Sequence, residues 1–249
     1  MRDFVLQSIC DEILRLRDEQ NIIGQQNYFK EPIKTNGLKS HETHMLAEKY
    51  FNKEWAKDRV FNLCEELWQT GYMEQGFIAC DWSYYLRDKY EKNDFVIFDR
   101  WVKNYINNWA TTDSLCTHTI GEFITMYPEF VKELKKWSKS ENRWVRRASA
   151  VSFIIPAKIG LFKDDIFDIA DVLLEDKDDM VQKGYGWALK SLSTAGYAHQ
   201  KENLSPLAEE VYNFVVARVK KMPRTAFRYA VEKLPNKMRK EAMNINFKE

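Results

Sequence analysis

Apolar residues recur every three or four positions along nearly all of the 249 residues, which is the spacing of one helical face. Only 9 Gly and 6 Pro interrupt the pattern, and the common residues Lys, Glu, Leu and Ala are good helix formers. No segment shows the apolar–polar alternation of a half-buried strand. The spacing predicts helices at 3–18, 41–53, 56–70, 74–90, 95–108, 113–126, 128–138, 142–155, 164–174, 179–193, 205–220, 223–233 and 236–245, with a loop through 24–40. Gly71, Tyr127-Pro128, Gly160 and Ser205-Pro206 supply the turn signals between them. The fold class that follows is all-α. No linker is long enough to split the chain, so a single domain over residues 1–249 is expected.

The helices also repeat. Asn142-Arg-Trp-Val-Arg-Arg-Ala and Asp178-Asp-Met-Val-Gln-Lys-Gly superimpose with a shift of 36 residues. Each has a polar cap, then Val145 or Val181, a base two positions on (Arg147 or Lys183) and a small residue (Ala148 or Gly184). The stretch 223–234 echoes the form less closely. This is the pattern of HEAT-like repeats, helix pairs of roughly 40 residues that cannot bury their apolar stripes alone and so stack. The expected architecture is an α-α superhelix, a solenoid whose concave face carries the motif's bases.

Bulk properties narrow the function classes. A hydrophobic fraction of 45% with 30% charged residues is that of an ordinary globular chain. No apolar run reaches the ~18 residues of a membrane span, and the N-terminal segment MRDFVLQSICDEILRLRDEQ carries acids inside its apolar pattern. A cytoplasmic protein without membrane contact is expected. Cys10, Cys64, Cys80 and Cys116 show no C-x-x-C spacing, which points to buried reduced thiols. His41-Glu-Thr-His44 is one residue short of H-E-x-x-H and is assigned to a solvated helix start. No metal site and no cofactor are expected.

The net charge of +1 conceals blocks. Residues 131–160 hold eight Lys or Arg against two acids, 161–182 hold eight acids against two bases, and 218–240 hold nine bases against one acid. Each block on its own is equally a solvated helix face. If successive helices turn different faces outward, however, the bases gather on one side and the acids face away, and a basic groove suits duplex DNA.

One polar connection stands out: in NYINNWATTDSLCTHTIGEF, Trp109 precedes Asp113 by four residues. From the residues alone, Asp113 is a good N-cap for the helix expected at 113–126, with Thr111 or Thr112 able to share that duty. Trp187, in GYGWALKSL, is equally a core position or an exposed ring. Capping and chemistry are compatible, because a carboxylate at a helix start can still face a groove.

Taken in order, INNWATTDSLCTHTIGEF, NRWVRRASAVSF and VQKGYGWALKSL resemble the AlkD-like DNA alkylation repair glycosylases, and the likeness extends from about residue 20 to residue 240. The resemblance implies a monofunctional N-glycosylase, built of HEAT-like repeats, that releases N3- and N7-alkylated purines from duplex DNA. It implies catalytic roles for Asp113, Trp109 and Trp187. It also implies a phosphate-holding role for Arg147, chosen over Arg146 because the repeat puts position 147 in the concave slot. Lys183, Lys190, Arg224 and Arg228 are further candidate phosphate contacts, and Tyr28 resembles a family aromatic near the lesion. Two positions depart from the pattern. Ala110 stands where the family often has an acid, and Lys190 where it often has Arg, which removes a fork but keeps a charge.

The chemistry is consistent with these residue types. A purine alkylated at N3 or N7 is already cationic and leaves without a general acid. A carboxylate can stabilise the oxocarbenium-like sugar and position water, and indole faces attract cations. A wrapping array of this kind needs no second subunit, so a monomer is expected. Two other readings share the features: a non-catalytic HEAT-like DNA-binding protein, which would be free to lose Asp113, and a protein-interaction scaffold, which would show no salt-sensitive affinity for duplex DNA.

Overall fold

The structure, a computed structural model, describes residues 3–196 and 205–245. Helix dominates these residues. The only β pairing among them is an isolated bridge between Lys34 and Tyr72. By packing, the chain divides into two compact units, Met1–Thr119 and Ile120–Glu249, each an all-α array of helices laid side by side.

The first unit contains α1 (Phe4–Arg15), α2 (Glu19–Gln26), α3 (Ser40–Tyr50), α4 (Lys57–Gln69), α5 (Met73–Tyr85), α6 (Phe95–Asn104) and α7 (Trp109–Ser114). α1 starts where Asp3 accepts the Val5 N–H and buries Leu6, Ile9 and Ile13, one stripe at helical spacing. α2 lies where no helix was expected. Asp18 caps it by accepting from the Gln20 and Asn21 N–H groups. The loop that follows is tied down by Glu74 of α5, whose Oε1 accepts from Thr35 Oγ1 at 2.7 Å and the Asn36 N–H at 2.8 Å. Gly37 turns there at φ +84, and a Cβ on it would lie 2.2 Å from the Asp18 carbonyl oxygen. The core is aromatic. Trp82, Trp101 and Phe98 are fully buried, and Phe61 meets Phe98 and Trp101 edge-on.

The second unit contains α8 (Gly121–Met126), α9 (Val131–Trp137), α10 (Arg143–Val151), α11 (Ile154–Lys158), α12 (Lys163–Val172), α13 (Asp179–Ser193), α14 (Pro206–Arg218), α15 (Arg224–Val231) and α16 (Asn236–Met243). The repeat seen in the sequence is structural. Asn142 caps α10 by accepting from the Trp144 N–H, and Asp178 caps α13 by accepting from the Met180 N–H, each at 2.9 Å. Val145 and Val181 are both buried. α13 packs against α10, α11, α12, α14 and α15, so it is the centre of this unit.

In the first unit one carboxylate joins α4 to α6. Glu65 Oε2 accepts from Trp101 Nε1 at 2.6 Å and Arg100 Nη2 at 2.8 Å, and its Oε1 accepts from Tyr105 Oη at 2.6 Å. Burial acts to raise the Glu65 carboxyl, but the hydrogen bonds from Arg100, Tyr105 and Trp101 outweigh it and hold the group below the usual range. A carboxylate lowered in the native state stabilises the fold above its unfolded pKa, about 4.3, and loses that contribution as pH falls through the native value. Glu65→Gln is therefore expected to lower the melting temperature at neutral pH, with the gap to the wild type narrowing between about pH 5 and pH 3. Thermal unfolding across that range checks it, and a gap that stays constant with pH contradicts it.

Candidate functional site

The structure moves the start of the helix that carries Asp113. It begins at Trp109, and its N-cap is Asn108, whose side chain accepts from the Thr111 N–H at 3.0 Å. Thr112 Oγ1 donates to the Asn108 carbonyl at 2.6 Å, closing the same turn. Asp113 therefore stands in the second turn of α7 and does not cap it. Trp109 and Asp113 are separated by i, i+4, so they share one face, and both are half-buried.

Each neighbour of this turn has a local cause. Trp109 stacks on Phe29 with centroids 5.1 Å apart, and its Nε1 donates to the Tyr28 carbonyl at 3.2 Å. Tyr28 itself is 75% exposed, so the sequence candidate meets Trp109 through its backbone while its ring faces solvent. Behind the turn, a Cβ at Gly76 would lie 2.9 Å from Trp68 and 3.2 Å from Thr111, so the glycine is what lets α7 approach α5 this closely. After Ser114 the backbone loosens into a π-helical stretch, Leu115–Ile120. There Thr117 Oγ1 donates to the Asp113 carbonyl at 2.7 Å. Such turns are uncommon and concentrate at functional sites.

The remaining candidates lie in the second unit. Arg147 occupies the repeat slot as expected but is 5% exposed, and its guanidinium donates to the Met180 carbonyl in the first turn of α13. A Cβ at Gly184 would stand 3.3 Å from its Cγ, so the small residue of the motif is the seat for this side chain. Arg146 is engaged as well, with its Nε 2.6 Å from Asp176. Lys183, Trp187 and Lys190 follow at i, i+4 and i+7 on one face of α13, all half-buried. Lys183 pairs with Asp179 at 3.2 Å. Lys190 reaches α15, 3.1 Å from Glu232 and 5.2 Å above the Tyr229 ring. Arg224 and Arg228 are exposed on α15 and line a cleft together with Arg239.

The charge blocks do not segregate as expected. Three bases of the first basic block are paired with the acidic one: Lys135 with Asp165 at 2.7 Å and Asp168 at 2.8 Å, Arg143 with Asp178 at 3.1 Å, and Arg146 with Asp176. Acids that were expected to face away are the partners of the bases. The histidine pair lies exposed at the start of α3, as expected, and His44 Nδ1 in addition lies 2.6 Å from Asp81 Oδ2 in an α3–α5 contact that the sequence did not reveal. Among the described residues no three His, Cys, Asp or Glu side chains are grouped to hold a metal ion, and no helix is long and apolar enough to cross a membrane.

A family model described as DNA alkylation repair enzyme matches residues 9–234. The chain belongs to that family. DNA alkylation repair, and with it the binding of DNA, is the role that membership carries. Among solved structures the chain is similar to one described as a predicted DNA alkylation repair enzyme from Enterococcus faecalis, with 16% identity and a TM-score of 0.72 over 88% of this chain and 97% of that one. At that identity what is shared is the fold. A search of curated proteins finds no match.

Several residues of this repair-family chain escaped the sequence reading. Phe29 backs Trp109 from more than 70 positions away, and nothing local signals it. Asn108 was visible as an N-cap type but was overshadowed by Asp113. Arg239 lies in a basic block that the sequence did show. The cap is the element most open to test. Asn108→Ala is expected to cost about 0.5–2 kcal/mol, the usual range for losing an N-cap, read as a lower melting temperature. An unchanged melting temperature would mean that Asn108 does not hold the start of α7.

Proposed function

We propose that this chain is a monofunctional DNA glycosylase that hydrolyses the glycosidic bond of positively charged N3- and N7-alkylpurines in duplex DNA. The observation that supports it most is the turn at 109–113: cap duty falls to Asn108, and Asp113 shares a helix face with a stacked tryptophan. Family membership supports the substrate class.

In this reading the bond from C1′ to the base nitrogen breaks first, and its electron pair neutralises the cationic purine, so no general acid is required. The Asp113 carboxylate stabilises the positive charge left on the sugar and orients the water that adds to C1′. That water's proton leaves to solvent. Trp109 and Trp187 supply indole faces, each favouring a cationic sugar or base by ~0.5–2 kcal/mol. Stacking on Phe29 fixes the plane of Trp109 in advance, which avoids ordering cost on binding.

Lys183, Lys190, Arg224 and Arg228 are the proposed phosphate contacts, with Tyr28 an exposed aromatic beside Trp109. Arg147 stays in the proposal as the buried member of the set. Its charge adds to the potential of α13's first turn while its guanidinium holds α10 to α13 through the Met180 carbonyl. The chain is proposed to act as a monomer, in the cytoplasm.

The decisive experiment is single-turnover base release from a duplex with one N7-methylguanine, comparing wild type with Asp113→Asn. Release well above spontaneous depurination is expected, falling by at least about 100-fold in the variant while duplex binding persists, as when one group that stabilises transition-state charge is removed. Salt-sensitive duplex binding without release would leave a non-catalytic DNA-binding protein. No duplex binding at all would leave a scaffold.

A further inference from the structure

We propose that Ser40, His44 and Asp81 form a hydrolytic triad, with Ser40 as nucleophile toward small carboxylic esters that carry a good leaving group. The triad uses none of the residues placed in the repair reading and stands or falls independently of it.

The three groups are arranged as a relay. His44 Nδ1 lies 2.6 Å from Asp81 Oδ2, and His44 Nε2 lies 3.2 Å from Ser40 Oγ. Both distances are within the reach that links a nucleophile to its base and a base to its orienting group. A neutral imidazole has one donor and one acceptor. With Nδ1–H donating to the carboxylate, Nε2 is left to accept from the Ser40 hydroxyl, which is the tautomer a general base needs. A surface ion pair accounts for one ring nitrogen of His44. Here both are used, in the order carboxylate, imidazole, hydroxyl.

Buried groups set the distance between acid and base. Trp82, which follows Asp81 on α5, is fully buried, and its Nε1 donates to the Ala47 carbonyl of α3 at 2.8 Å. Ala47 lies one turn beyond His44, so the same contact that locks α3 to α5 carries Asp81 to the imidazole. Thr43, Leu46 and Ala47 are the buried residues of α3 that seat it there. The Asp81 side chain is 19% exposed and that of His44 52%. The acid is thus largely withdrawn from water, while the base stays open to a substrate.

The nucleophile sits at a helix start. Ser40 is the first residue of α3, and the start is fixed because the Lys39 N–H donates to Glu42 Oε2 at 2.7 Å. The helical ladder begins at Thr43, whose N–H donates to the Lys39 carbonyl at 3.2 Å. The N–H groups of Ser40 and His41 precede that ladder and face out of the helix end. A serine opening a helix, with the N–H of the next residue ready to receive an oxyanion, is the arrangement of a nucleophile elbow.

The chemistry closes on these groups. Ser40 Oγ bonds to the ester carbonyl carbon as its proton passes to His44 Nε2. The carbonyl electron pair moves to oxygen, where the His41 N–H meets it. Collapse breaks the bond to the leaving oxygen, which takes the proton from Nε2 and departs as an alcohol. Water then repeats the sequence on acyl-Ser40 and releases the acid. Ester and water give acid and alcohol, with no other reactant. Asp81 touches no reacting atom and is the positioning residue.

The test treats the full chain with a fluorophosphonate probe, locates the label by peptide mass spectrometry, and follows the burst of nitrophenol from p-nitrophenyl acetate. Wild type is compared with Ser40→Ala, His44→Gln and Asp81→Asn, and melting temperatures report whether each is folded. Wild type is expected to be labelled at Ser40 and to give a burst, and Ser40→Ala to do neither while keeping wild-type binding to duplex DNA. His44→Gln is expected to slow both reactions by at least about 100-fold, the lower bound for loss of a general base. Asp81→Asn is expected to lower kcat with KM unchanged, a split that loss of a merely structural pair does not produce. Absence of label at Ser40 in the wild type would overturn the proposal. So would ester hydrolysis that survives in Ser40→Ala but not in His44→Gln, which would make His44 a lone imidazole nucleophile.

Discussion

The contact on which the second unit turns is the approach of α13 to its neighbours, which is close enough to require glycine on both sides. At Gly184 the helix receives the Arg147 side chain, and at Gly186 it touches the backbone of α15. Two glycines in a helix interior carry a propensity cost of about 1 kcal/mol each, which is repaid here by packing that a Cβ would block. Everything assigned to this unit hangs on that register. Lys183, Trp187 and Lys190 take their common face from α13, and Lys190 reaches Tyr229 and Glu232 because α15 lies so near. In the first unit Gly76 plays the same part for α7. The glycines are therefore as much a part of the site as the charged residues they position.

The sequence disclosed the repeat well because the repeat is local. A cap, a buried valine and a small residue within seven positions are all set by the geometry of one helix start, and Asn142 and Asp178 behave as their residue types dictate. The all-α fold was legible for the same reason. What failed were properties fixed at long range. Arg147 was rightly assigned to the repeat's slot, but its burial depends on Gly184 and Met180, more than 30 positions away. The start of α7 was missed because WATTDS has four β-branched or short polar residues among its six, so Asp113 was the stronger apparent cap. Asn108 wins because the turn is pinned from outside, by Phe29 and by α5. α2 was missed because its eight residues show no strong stripe and bury nothing fully.

The charge pattern teaches a related point. Blocks of opposite sign that adjoin in sequence are as able to neutralise one another across a helix pair as to point apart, and here they do the former. The pairs tie α9 and α10 to α12 and to the turn that caps α13. Their effect is to neutralise part of the first basic block, so a count of its bases overstates the charge it offers to an anion.

The burial of the cysteines has a consequence for a protein of this trade. Cys64, Cys80 and Cys116 are buried, and burial pushes the Cys64 and Cys80 thiols well above their ordinary range. The thiolate is the form that attacks electrophiles, and a thiol held protonated inside an aromatic core is a poor target. The same reagents that methylate purines methylate sulfur. A repair protein meets them in the same compartment as its substrate, and this one keeps three of its four softest nucleophiles out of their reach.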